Sequence, residues 1–453
     1  MVFSSAIFLF AFLPAVFLLY RVVPSQRGKN ALLALASLVF YAFGQLSYVP
    51  LFVASVILNY AAGRALGGMR RHRRAVLFTA VLFNLGVLGL FKYTDFVLSN
   101  LGLPTVGILL PIGISFFTFQ GLSYVIDCYR KPETATRDFL KLLLYIAFFP
   151  QLIAGPIVKY HEIASQIDER RTTPEETEAG IFRFVIGLAK KLLVADAMGK
   201  AADTVFGGAY GDPRLAWLGA ICYTLQIYYD FSGYSDMAIG LGHMFGFTIP
   251  ENFRRPYAAV SIRDFWRRWH ISLSSWFKEY LYIPLGGNRK GKMRTALNRL
   301  FVFLCTGFWH GANWTFLVWG LGHGLLSSLE DAGVIPVKRL ERSRAGRLLC
   351  RCYTLLCVTL LFVVFRADSL AAAGTMFTAL FAGSCSAAAG QMLARLLSPA
   401  FCLTGIAALF FAAEPPAWKP PLWLRRVILF TLLLLSILSM AKGGFHPFLY
   451  FQF

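Results

Sequence analysis

The sequence predicts an all-α, polytopic integral membrane protein, and three observations carry that prediction. Hydrophobic residues make up 57% of the 453, at a mean hydropathy of +0.59, which a soluble domain could hold only by exposing large apolar patches. Apolar runs of about twenty residues, enough to cross a bilayer as a helix, recur along the whole chain. Lys and Arg outnumber Asp and Glu by 44 to 23, and they cluster between the apolar runs. In a membrane protein that excess is a topological signal, so nucleic-acid binding is a poor reading of it.

The first run, 3 to 20, has no basic lead-in and no small-residue cleavage site, so a retained helix is expected there in place of a signal peptide. Arg21, Arg27 and Lys29 follow it. The run from 31 to 65 is too long for one pass and is broken by Gly44, Ser47 and Pro50, which predicts a hairpin of two short helices. Arg64, Arg70, Arg71, Arg73 and Arg74 come next. Further long runs cover 75–98, 106–128, 138–157, 214–229, 300–329, 347–365 and 424–441. The stretch 370–413 is ambiguous, and roughly ten to twelve passes or re-entrant segments are expected. The positive-inside rule puts the early basic loops, the cluster Arg289, Lys290, Lys292, Arg294 and Arg299, and the basic stretch 338–351 in the cytoplasm. Both termini are then extracytoplasmic, including the aromatic tail FHPFLYFQF at 445–453.

Between these runs, GIFRFVIGLAKKLLV (180–194) sets Arg183, Lys190 and Lys191 against Phe182, Val185, Ile186 and Leu193, the pattern of a helix lying in the membrane surface. No internal repeat or water-soluble second domain is evident, and one membrane-embedded domain over 1–453 is expected. The eight cysteines include no CxxC pair, so packing roles are expected in place of disulfides, and no metal site.

Three segments could carry chemistry. In SIRDFWRRWHISLSSWFKEYLYIPLGG (261–287), helical spacing places Arg263, Arg267, His270, Ser274 and Lys278 on one stripe and Trp266, Trp269, Leu273 and Trp276 on another. That fits an amphipathic surface helix, or a helix turning His270 and its arginines toward a polar cavity. In CTGFWHGANWTFLVWGLGHG (305–324), His310 interrupts an apolar run, where an ionisable residue is costly and functional by default. Thr306, His310 and Asn313 would share its face, and Gly307 and Gly311 leave room for another backbone or a substrate. A histidine bonded between helices is the plainer reading, and His323 on another face is expected to be structural. In CYTLQIYYDFSGYSDMAIGLG (222–242), Gln226 and Asp230 share a face and Asp236 follows, which suits either proton or ligand handling or simple pairing between helices. No HExxH, Walker loop, GxSxG or dinucleotide fingerprint is present.

Taken in order, FPQLIAGPIVKY (149–160), YYDFSGYSDMAIG (228–240), SIRDFWRRWHISLS (261–274), YIPLGGN (282–288) and FWHGANWTFLVWG (308–320) resemble the membrane-bound O-acyltransferase family. The resemblance is to the bacterial branch that includes the alginate O-acetylation membrane protein. It implies a ring of tilted and broken helices with interfacial and re-entrant segments, a cytoplasmic funnel for an acyl thioester and an outer opening for the acceptor. His310 matches the active-site histidine of that family and His270 the upstream histidine of the branch. Acyl transfer to a hydroxyl needs a base and oxyanion donors. His310 suits the first task, and Asn313 or Arg263 and Arg267 could serve the second, with Asp230 in support.

The resemblance implies no bound cofactor but acetyl coenzyme A or another acyl thioester as donor, a bacterial inner-membrane location, and an extracytoplasmic SGNH-type transferase as partner in a polysaccharide biosynthesis or export complex. Alginate, cellulose or peptidoglycan would be the acceptor. Relatives often end in a Phe-x-Tyr-Phe-x-Phe segment whose tyrosine looks like an acyl relay, a pattern repeated here at Phe448, Tyr450, Phe451 and Phe453. An aromatic belt at the outer interface is the alternative for that tail. For the whole chain the alternative is a transporter or flippase, which would also place polar groups at midplane but with internal pseudo-symmetry.

Overall fold

The computed structural model describes residues 1–69, 71–208, 211–413, 421–442 and 447–449, and every regular element among them is a helix. Among the described residues four helical stretches are long and apolar enough to cross a membrane: Gln26–Gly68, which a 3-10 turn interrupts, Arg73–Asn100, Arg344–Arg366 and Leu422–Lys442. The pair Leu370–Ala382 and Ala387–Leu396, bent by 98°, makes a fifth if counted as one span. Their starts are written in the sequence: Ser25, Ser343 and Ser369 accept the backbone N–H of Gly28, Gly346 and Ala372, satisfying donors that a first turn leaves open.

Several runs that looked continuous are interrupted at glycine, proline or a polar residue. The break expected near Gly44, Ser47 and Pro50 is the 3-10 turn Leu46–Tyr48, flanked by two twenty-residue helices with different neighbours. Gln26–Gln45 packs on Phe139–Ala147, and Val49–Gly68 on Arg73–Asn100 and Ile114–Arg130. The run 106–128 is helical only over Ile114–Arg130, because Gly107 and Gly113 adopt positive φ and Asp95 ties down the N–H groups of Val106, Gly107 and Ile108. The run 138–157 stops at Phe148.

The chain divides into two compact units, Met1–Leu188 with Tyr234–Glu251, and Ala189–Gly233 with Asn252–Phe453. The first has an aromatic core in which Phe3 stacks on Tyr234 at 4.7 Å and Phe12 meets Phe149 edge-on at 5.5 Å. Asn59 and Asn84 exchange amide hydrogen bonds of 2.9 and 3.1 Å between apolar helices, so neither buried amide is left without a partner. The second unit is built around Trp269, Trp319, Tyr223, Phe265, Phe362 and Phe365.

The segment 180–194 is not the surface helix that its basic residues suggested. Pro174–Ala189 runs into a π-helical turn, Lys190–Ala195, and then into Asp196–Phe206. Arg183 bonds Asp236 at 2.9 Å and Glu251 at 2.5 Å, and Lys191 is buried. Arg183 and Lys191 face carboxylates within the protein, because a sequence pattern shows which residues share a face but not what that face meets.

Close approach brings Arg183 to Asp236. A Cβ on Gly180 would lie 2.6 Å from the Gly240 carbonyl oxygen, and one on Gly240 only 2.5 Å from that of Gly180. Gly240→Ala should therefore push two backbones apart and destabilise the protein by about 1–3 kcal/mol, seen as a lower thermal midpoint in detergent. Gly86→Ala, where the added Cβ meets nothing within 4 Å, should leave the midpoint unchanged, and equal midpoints for both variants would discard the packing account.

Candidate active site

All the groups described here lie in the second unit. The apolar run 300–329 is not one helix but a tight antiparallel hairpin, Gly291–His310 and Trp314–Ala332, with His310 at the end of its first arm. Gly307 and Gly320 let the arms touch, since a Cβ on Gly307 would lie 2.2 Å from the Phe316 carbonyl oxygen and one on Gly320 would lie 2.4 Å from that of Phe303. A backbone, not a substrate, fills the space at Gly307, and the Phe316 ring fills it at Gly311. Asn313 consequently does not share a helix face with His310. Its Oδ1 caps the second arm at the Thr315 N–H (3.1 Å), and its Nδ2 donates to the Asp368 carbonyl at 2.8 Å.

His310 is 3% exposed. Trp309, Trp319 and Phe365 surround its ring at centroid distances of 5.0, 5.1 and 5.2 Å, and the His270 ring lies 6.5 Å away. His270 is fully buried, with Phe231 edge-on at 4.6 Å.

The expected stripe from Arg263 to Lys278 is broken at His270, which takes left-handed backbone angles (φ 46°, ψ 52°) between the helices Ile262–Arg268 and Ile271–Phe277. The turn separates the histidine from its arginines. Arg263 pairs with Asp331 at 3.0 Å and is half-exposed, and Arg267 is exposed. Neither arginine joins the histidines.

Three residues that sequence reasoning missed hold this arrangement. The Asn252 Oδ1 accepts from the Ser272 N–H (3.2 Å) and hydroxyl (2.8 Å) and lies 3.2 Å from His270 Nδ1. Because the Ser272 N–H can only donate, that atom must be the oxygen, so in a neutral ring Nδ1 carries the proton and Nε2 the lone pair. The Glu330 carboxylate accepts the N–H groups of Ile262 (2.7 Å) and Arg263 (3.2 Å), fixing the start of the helix that leads to His270. Ser261 caps the same helix at Asp264. The prolines that bracket Asn252 at 250 and 256 were the available signal for it; nothing along the chain pairs Glu330 with position 262. His323 is fully buried, its ring parallel to Phe265 at 6.0 Å and 5.1 Å from Trp319.

Three cavities open in the same unit. One of about 510 Å³ is lined by Arg263, Lys292, Arg299, Lys338, Asp331 and Tyr282. Tyr282 also lines a smaller one of about 160 Å³ that reaches Phe303 and Thr306, the latter one turn before His310. A third, of about 420 Å³, is lined by Phe206, Asp212, Arg366, Asp368 and Thr375, with Arg366 directly following the Phe365 that packs on His310. Two bonds from Arg214 hold the Asp212 carboxylate well below its usual pKa.

Asp230 is 2% exposed and bonds Lys191 at 2.6 Å. Gln226, expected on the same face, packs over Gly199. Tyr450 lies outside the described residues.

The family model for MBOAT, the membrane-bound O-acyltransferase family, matches residues 42–365. Over 492 aligned residues covering both chains completely, the protein is 38% identical to the probable alginate O-acetylase AlgI of Pseudomonas putida. It is 39% identical to the peptidoglycan O-acetyltransferase of Helicobacter pylori, over 82% of this chain and 78% of that one. It is 30% identical to the teichoic acid D-alanyltransferase of Bacillus subtilis, over 48% and 57% respectively.

Asn252→Ala would strip one buried acceptor from three donors, at an expected cost of about 1–3 kcal/mol. Ser272→Ala, which removes one donor and keeps the others, should cost less. A thermal midpoint for Asn252→Ala equal to that of the unaltered protein would mean that the His270 turn is held by something else.

Proposed function

The chain belongs to the membrane-bound O-acyltransferase family, and from that premise we propose that it passes an acetyl group from cytoplasmic acetyl coenzyme A to Tyr450, and from there to an extracytoplasmic SGNH-type transferase that O-acetylates a polysaccharide. It is a multi-pass membrane acyltransferase. The observation that carries the finer reading is the pair of buried imidazoles, 6.5 Å apart between centroids, in the same unit as a cavity lined by Arg263, Lys292, Arg299 and Lys338. Arg263, Lys292, Arg299 and Lys338 would meet the phosphates of the donor, since guanidinium and ammonium groups are the natural partners of phosphate oxygens. The smaller cavity past Tyr282 would lead the thioester toward Thr306 and His310.

In the transfer, His310 takes the phenolic proton of Tyr450 as the oxygen attacks the thioester carbonyl. Collapse of the tetrahedral intermediate breaks the C–S bond, and the sulfur leaves with the proton that His310 held. Tyr450 then carries an aryl ester, whose better leaving group makes onward transfer to a serine or sugar hydroxyl run downhill. Asn313 and Arg263, expected as oxyanion donors, are held by the hairpin turn and by Asp331. The Trp319 indole N–H, buried beside His310 and without a hydrogen-bond partner among the described residues, is a donor of the kind the oxyanion needs. Alginate, cellulose and peptidoglycan are acceptors of the right kind, and both chain termini would lie outside the inner membrane.

His310→Ala should abolish polymer acetylation at normal protein levels, a loss of at least about 10²-fold, and His270→Ala should impair it less. Tyr450→Phe keeps the ring and removes only the oxygen, so it should also abolish transfer; full ester content in that variant would leave the tail as a membrane anchor. A cysteine at Arg289 should react only with reagents applied to the cytoplasmic side, and outside-only labelling would invert the proposed path.

A further inference from the structure

The C-terminal tail is seated in the protein by a buried ionic cluster that the mechanism above does not use. Lys191, 3% exposed, bonds Asp230 at 2.6 Å and Asp196 at 2.9 Å. Local backbone geometry makes this possible. Lys191 and Asp196 are five residues apart, a spacing that an α-helix turns to different sides, but the π-helical turn Lys190–Ala195 closes with the Asp196 N–H on the Lys191 carbonyl and brings the pair onto one side. The last long helix, Leu422–Lys442, reaches the same turn, with Ser439 donating to the Leu192 carbonyl at 3.2 Å. The tail then enters the cluster. The Leu449 N–H donates to the second Asp230 oxygen at 2.8 Å, the Lys191 ammonium lies 3.4 Å from the Pro447 carbonyl oxygen, and the same ammonium sits 4.8 Å from the centre of the Phe448 ring. Phe448 is 1% and Leu449 6% exposed.

The chemistry is that of a receptor for peptide backbone. A buried carboxylate needs partners on both oxygens: Lys191 meets one Asp230 oxygen and the Leu449 N–H supplies the donor for the other. The ammonium needs electron-rich neighbours, which the Pro447 carbonyl and the Phe448 π-face supply. One grip falls on each side of Phe448, and Tyr450 follows Leu449 directly in the sequence. The receptor is also tied to the candidate catalytic groups: Phe231, the neighbour of Asp230 in the helix Pro213–Met244, packs on His270, 6.5 Å from His310.

We propose that Lys191 and Asp230, held by the π-helical turn, form a docking receptor for the C-terminal segment Pro447–Leu449 and are positioning residues that set where Tyr450 presents its hydroxyl. The consequence for reaction rests on the reading of Tyr450 as acyl acceptor; the seating of the tail does not.

Hydrogen exchange of the full-length protein in detergent, followed by mass spectrometry, tests it. In the unaltered protein the Leu449 amide should exchange slowly. Asp230→Ala leaves Lys191 paired with Asp196 and should speed that exchange by at least tenfold, with the helix Arg344–Arg366 as protected as before, and should depress polymer acetylation. Phe448→Ala changes the tail alone and should speed exchange at Leu449 in the same way, so it decides the matter if Asp230→Ala accumulates poorly. Unchanged Leu449 exchange in both variants, or loss of protection throughout the chain in both, overturns the receptor. Tyr450→Phe separates the two readings: an inactive protein with a protected tail supports both, and a fully active one removes the relay while the exchange result for Asp230→Ala still stands or falls by itself.

Discussion

A polar group buried in a largely apolar protein must find its partner within the chain, and most of this structure follows from that constraint. The cost of an unpaired amide or charge is several kcal/mol at roughly any depth where water is excluded, so each one fixes its neighbours. Asn59 and Asn84 satisfy one another across two apolar helices. Arg183 collects Asp236 and Glu251, Glu330 takes two backbone N–H groups at the start of a short helix, and Lys191 holds two carboxylates and the tail. None of these is a surface salt bridge added to a finished fold. Each joins segments that are distant in sequence, and the apolar side chains pack around the joints.

The same constraint explains why the candidate active site is made of helix interruptions. A continuous helix satisfies its own backbone and presents side chains at fixed intervals, so it cannot bring His270 and His310 together from two segments and also enclose them. Ending one helix at His310 and turning the backbone left-handed at His270 frees both rings from helical register. The groups released by those breaks are then recaptured: Asn313 caps the next helix and Asn252 gathers the donors at Ser272 and His270. Rigid aromatic walls from Trp309, Trp319 and Phe365 complete an enclosure suited to chemistry that water would spoil.

His310 was legible because an ionisable residue in an apolar run is rare enough to stand out, His270 because it shares a polar stripe with arginines, and the ordered motifs around both gave the family. Asp230 was legible as a buried carboxylate suited either to proton or ligand handling or to pairing between helices. Its partner was not, since the spacing places Lys191 on a basic stripe, and only the π-helical turn rotates it inward. Arg263 and Arg267 were assigned to His270 because one helix was assumed through 269 and 270. Propensity along a sequence does not reveal a single left-handed residue that is neither glycine nor asparagine.

By itself, then, the sequence determined the apolar composition that requires a membrane, the helical class, the break between Gly44 and Pro50, and the two imidazoles. Those properties are local: they depend on residue type and on neighbours a few positions away. The tertiary structure decided which cation meets which carboxylate, that a backbone fills the space left by Gly307, and that Pro447–Leu449 sits on Lys191 and Asp230. These depend on contacts between residues as much as 256 positions apart, and no periodicity along a chain records which of several buried charges will be brought face to face.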